Sequence, residues 1–139
     1  MRTFITRSLL VVVSMALVGA CGDDKKVLKK ADFIQKADAI CAAARVEGKK
    51  LNTPKDEKEL LALLPKAADI QLKSLAKIVA LGEPDTDAAK IKKLFVDLKA
   101  LFNAAKTSKS IEALQKASES MQPLNKYARE YGFKECGSS

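Results

Sequence analysis

The sequence predicts an all-α protein, an antiparallel up-down-up-down four-helix bundle preceded by a signal peptide and a short tether. Three observations predict it. Four segments repeat their apolar residues at steps of three and four, short polar turns separate those segments, and no stretch after the leader alternates with period two. Residues 1–20 read as the signal peptide, 21–31 as a lipidated charged tether and 32–139 as the helical bundle domain. Without its first twenty residues the chain has 119, enough for one domain that buries roughly 65% of its unfolded surface.

The leader comes first. Arg2 and Arg7 precede the apolar run 9–18, and the small residues Gly19 and Ala20 close it, which is the build of an export signal. Cys21 follows at once. Val18-Gly19-Ala20-Cys21 resembles the lipobox of bacterial lipoproteins, an aliphatic residue, two small residues and a cysteine. The resemblance implies that Cys21 is alkylated with diacylglycerol, bears acyl chains of the palmitate kind and becomes the mature N-terminus. It also implies a place at the extracytoplasmic face of the cell membrane. A secreted protein with a free or paired Cys21, or an uncleaved anchor, is the alternative. Residues 22–30 then read GDDKKVLKK, charged and without period, as a tether does. Lys25, Lys26, Lys29 and Lys30 either touch anionic lipid or are simply solvated.

The spacing predicts a first helix after Asp32, with Asp32 accepting from the opening amides and Gln35 answering three residues on. Its apolar face holds Phe33, Ile34, Ala37, Ile40, Cys41, Ala44 and Gly48. A second helix is expected to open at Thr53-Pro54 and to carry leucines 60, 61, 63, 64, 72, 75 and 81 with Ile78 and Val79 toward Gly82. Pro65 should kink it or split it in two. Asp85, Thr86 and Asp87 open a third helix with the stripe Ile91, Leu94, Phe95, Leu98, Leu101, Phe102 and Ala105. After the polar turn 107–110, a fourth helix runs from Ile111 through Leu114, Ala117, Met121, Leu124, Tyr127, Ala128 and Tyr131. Pro123 should bend or briefly break it, and Gly132 should cap it with Phe133 folding back.

Cysteine counting adds a cross-link. The chain has three cysteines, and once Cys21 is lipidated, Cys41 and Cys136 remain as a pair in an oxidising compartment, where a disulfide is expected. Two unpaired thiols, one in the core and one on a frayed tail, are the alternative. In the up-down topology the start of the first helix and the end of the fourth share one end of the bundle, so the pairing and the fold agree.

The segments ADFIQKADAICAAA and YAREYGFKECG extend the resemblance. Through Phe33, Ile34, Ala37, Asp38, Ile40 and Cys41, and through Tyr131, Gly132, Cys136 and Gly137, the chain is similar to a group of uncharacterised, mostly actinobacterial, exported lipoproteins. These share an F-I-x-x-A-D-x-I-C start and a Y-G-x-x-x-C-G end. The resemblance implies export and paired cysteines, and it brings no activity.

Composition narrows the chemistry. Histidine and tryptophan are absent, which removes the commonest general base and metal ligand, the Glu-x-x-His pairs of a di-metal bundle and the C-x-x-C-H of attached haem. No metal, cofactor or catalytic residue is expected. Acidic groups gather at Asp23 and Asp24, at Asp56, Glu57 and Glu59, and at Asp85 and Asp87, and the last two sets read as helix caps before they read as a hydrolase. The chain carries a formal +8, and losing Arg2 and Arg7 with the signal leaves +6, spread rather than blocked. With five Phe and two Tyr, mostly on core stripes, few rings remain for stacking on bases, so no nucleic acid is expected. Tyr127, Tyr131 and Phe133 read as a terminal core plug, or else as a pocket.

The expectation is therefore a membrane-anchored, non-catalytic bundle that binds or scaffolds an envelope protein or polyanion through lysine-rich faces. A carrier of a small apolar ligand between helices is the second reading, and a carboxylate hydrolase a minor third. Exposed apolar residues beside lysines would favour the first, an internal cavity the second, and converging buried carboxylates the third.

Overall fold

The computed structural model describes residues 26–138. The expected signal peptide and Cys21 lie outside the described residues. Four helices dominate, α1 (Lys30–Gly48), α2 (Glu57–Val79), α3 (Ala88–Thr107) and α4 (Ile111–Tyr131), so the fold is an all-α four-helix bundle. α2 packs against α1 and α3, and α3 against α4. The antiparallel sense follows from long-range bonds at one end. The Lys30 amide donates to Asp85 Oδ1 (2.9 Å), just before α3, and the Tyr131 hydroxyl donates to the Thr86 carbonyl (3.1 Å). The start of α1, the end of α2, the start of α3 and the end of α4 thus share that end.

Two local expectations are corrected, and one left open between a kink and a split is narrowed. α1 starts two residues before Asp32, which lies within the first turn instead of capping it. Asp85 from the α2–α3 connection supplies the acceptor, a partner 55 positions away that no local pattern shows. α2 opens at Asp56 rather than at Thr53-Pro54, because Asp56 accepts from the Glu59 amide (2.8 Å) while the Glu59 carboxylate takes the Lys55 amide (2.9 Å), a reciprocal cap. α2 and α4 each run in one piece through Pro65 and Pro123, so neither helix splits. Packing of both flanks holds a helix across one missing ladder bond. The start of α4 is as expected, with Ser110 accepting from the Ala113 amide (3.3 Å), and Gly132 closes it at φ +120° with the Phe133 amide returning to the Ala128 carbonyl (3.1 Å).

The chain after the leader also holds two short strands where none were expected. β1 (Val27–Leu28) pairs in parallel with β2 (Glu83–Pro84), through Glu83 N–H to Lys26 O (2.9 Å) and Asp85 N–H to Leu28 O (2.8 Å). Part of the expected tether is therefore docked on the bundle. Gly82 makes room for it: at φ +109° any Cβ there would sit 1.9 Å from the Lys26 carbonyl oxygen. Two residues per strand fall below any period that alternation can reveal.

The core is concentrated at this same end, where Phe33, Ala37, Ile78, Ile91, Leu94, Ala128, Tyr131 and Phe133 form one cluster. Phe33 meets Phe95 and Phe133 with ring centroids 6.3 Å apart in each pair, and Tyr131 meets Phe133 at 5.4 Å. No helix among the described residues is long and apolar enough to cross a membrane.

Candidate functional site

Cys41 and Cys136 are joined, with Cα atoms 5.2 Å apart across 95 positions of sequence. Around the bridge the chain end is gripped by α1. Asp38, one turn before Cys41, accepts three consecutive amides, Lys134 (2.9 Å) on Oδ2 and Glu135 (3.0 Å) and Cys136 (3.1 Å) on Oδ1. Arg45, one turn after Cys41, pairs with the Glu135 carboxylate (2.7 Å), donates to its carbonyl (3.1 Å) and reaches the Ser138 hydroxyl. Arg129 of α4 donates to the Gly137 carbonyl (2.8 Å), and a Cβ on Gly137 would come 2.7 Å from the Arg129 side chain. Asp38, Cys41, Gly132, Cys136 and Gly137, scattered between the two ends of the domain, thus make one clasp. Sequence reasoning picked out the bridge and missed the Asp38 grip, because an aspartate on a helix flank looks the same whether it faces water or a distant tail.

The aromatic trio behaves as a plug. Tyr131 and Phe133 are buried, Tyr127 is half-buried, and Lys30 lays its ammonium 4.1 Å from the Tyr131 ring centroid. Burial foremost, with the charges of Asp87 and Asp85 and the neighbouring Tyr127, pushes the Tyr131 hydroxyl above its ordinary value.

The carboxylates singled out from the sequence do not converge. Asp56 and Glu59 cap α2, Asp85 caps α1, and Asp87, at φ 58°, leads into α3 and pairs with Lys90 (3.3 Å). Asp23 and Asp24 lie outside the described residues. Glu112, exposed in the first turn of α4, is held below the usual carboxylate range by a backbone hydrogen bond and by Ser110, opposite to the shift a general acid needs. Among the described residues no group of three or more Cys, Asp or Glu is placed to hold a metal ion.

The concave feature lies elsewhere, between α2 and α3. α2 presents Leu72, Leu75, Ala76, Val79 and Ala80, a stripe at alternating steps of three and one, and α3 presents Ala88, Ile91, Phe95 and Val96 across from it. They line a half-open groove of about 830 Å³, predominantly apolar, within the range of small-molecule sites. Lys92 and Lys99 border it along α3, and Lys26, Gly82, Glu83 and Pro84 form one end. Val79 and Val96 on its sides are 56% and 59% exposed. Val79 belongs to the apolar run expected inside; α2 is apolar over more than one face, so Ile78 goes to the core while Val79 is left on the groove. The alanines matter too, because Ala76, Ala80 and Ala88 keep the walls low where larger side chains would fill the space.

Comparison of the chain with protein-family models, with characterised proteins and with solved structures gives no match.

Proposed function

We propose that this is a lipid-anchored, extracytoplasmic binding protein that carries no chemistry of its own. Cys21 bears the acyl anchor at the outer face of the cell membrane, and the α2–α3 groove is the surface that engages an apolar component of the envelope. The observation that carries the reading is the groove itself, where Val79 and Val96 stand exposed beside Lys92 and Lys99. Its position supports the reading further. Lys26 sits at one end of the groove, five residues after Cys21, a span of at most about 17 Å when extended. The groove therefore opens close to the membrane that the anchor would enter. The dispersed, cap-bound carboxylates give a hydrolase no support, and a half-open trough fits a docking surface better than an enclosed carrier cavity.

The test is capture of the full-length protein from its own membranes, followed by mass spectrometry of co-purifying proteins and extracted lipids. The comparison is with the double variant Val79→Asp and Val96→Asp. Both valines are exposed, so the variant should fold. Loss of a specific protein or lipid from the variant is expected, and identical recovery from both would overturn the reading. For the anchor, Cys21→Ala should move the protein out of the membrane fraction; retention there would overturn that half.

A further inference from the structure

We infer that the α2–α3 groove is a site for one long-chain fatty acid, its carboxylate at the end flanked by Lys26 and Lys92 and its tail along the trough past Lys99. The inference rests on the binding role proposed above and names the occupant.

Three observations select it. The first is shape. α3 lines the groove from Ala88 to Asn103, about 22 Å at the helical rise, longer than the roughly 15 Å that one leaflet offers an acyl tail. A partner helix is about 10 Å wide and would need a broad apolar face to lie on, whereas this trough is confined to the seam of two helices. The second is charge. The lysines bordering the groove outnumber its single acidic neighbour, Glu83, and Lys26, Lys92 and Lys99 form no ion pair among the described residues. An apolar trough bordered by unpaired ammonium groups suits a molecule with a tail and one anionic head. The third is the entry. Lys26 and Lys92 flank the end at which the chain arrives from Cys21, so a fatty acid leaving the bilayer meets its head-group partners there. The acyl groups on Cys21 itself would bring no anion to those lysines, and a two-tailed phospholipid would leave one tail without a trough.

The experiment uses the full-length lipidated protein in nanodiscs of neutral phosphatidylcholine and a palmitic acid carrying a mid-chain diazirine. After irradiation, cross-linked peptides are mapped by mass spectrometry. Labelling is expected on Leu72, Val79 and Phe95, displaced by unlabelled palmitate about tenfold more effectively than by the uncharged sixteen-carbon alcohol. The exposed reversals Lys26→Glu and Lys92→Glu together should weaken labelling about tenfold, with the helical spectrum unchanged. Labelling scattered over the surface would overturn the inference, as would equal competition by the alcohol. Groove labelling that appears only in Cys21→Ala would assign the trough to the protein's own anchor and overturn it as well. If palmitate fails while capture recovers a protein that depends on Val79 and Val96, this inference falls and the binding role stands. If neither is found, both fall.

Discussion

At the end of the bundle where α1 begins and α4 finishes, Phe33, Ile91 and Phe133 are exposed by 3% or less and the β1–β2 pair closes, while the Asp38 grip and the disulfide fasten the chain's tail from there to the middle of α1. Away from it none of residues 111–127 of α4 is buried, the buried side chains are the smaller set Ala44, Ala68 and Ile70, and the polar fastenings are the Asp56 and Ser110 caps and an exposed Lys106–Asp69 ion pair (2.6 Å). Caps contribute about 1 kcal/mol each and exposed ion pairs less, so the two ends differ in kind. One is held by a cross-link, a three-amide grip and a dense aromatic cluster, the other by sparse apolar burial, helix caps and one exposed ion pair. The end nearest the proposed anchor is the rigid one, and the groove starts from it. A docking surface gains from such a footing, because its walls are set before anything binds.

The contrast can be broken from its strongest point. Replacing Cys41 and Cys136 with Ser opens a loop of 95 positions and should cost about 4 kcal/mol, read as a lowered midpoint in urea. A loss under about 1 kcal/mol would mean that the clasped end owes little to its cross-link. Next comes the plug. Phe33→Ala should cost about 3–4 kcal/mol, against about 1 kcal/mol for Leu114→Ala in the half-buried distal turn of α4. Equal losses would erase the difference between the ends. Asp38→Asn removes one acceptor and turns an amide NH₂ toward the tail amides, and about 2 kcal/mol should be lost. Hydrogen exchange at Lys134, Glu135 and Cys136 should accelerate while α2 stays protected. The smallest effect is a pH dependence. Because burial raises the Tyr131 hydroxyl above its ordinary value of 10.0, the folded state holds that proton more tightly than the unfolded chain. Its contribution is complete below about pH 10 and drains away as pH climbs through the folded value. Tyr131→Phe should flatten that alkaline limb in pH-dependent melting.

Much of the clasped end was legible before any coordinates. The stripe Phe33, Ala37, Cys41 and Ala44, the count of cysteines and the Gly132 stop all name features that the bundle contains. The grip around them was not, since Asp38, Arg45 and Asp85 bond to partners 45 or more positions away, and a charged side chain leaves no periodic trace of where it points. The groove was hidden for the opposite reason. Leu72, Val79 and Phe95 read as ordinary core, and only the packing of α2 against α3 decides which apolar residues are covered.

Four helices, the Gly132 stop and the partnership of Cys41 with Cys136 could be read from the residues alone. Those depend on spacing along one chain and on the parity of a small set of thiols. Tertiary structure alone decided that Val27 and Leu28 lie against Glu83 and Pro84, that Asp38 holds the tail, and that the surplus apolar face of α2 stays open beside three lysines. Periodicity reports how much apolar surface a helix carries, and the packing of its neighbours settles how much of that surface is shielded from water.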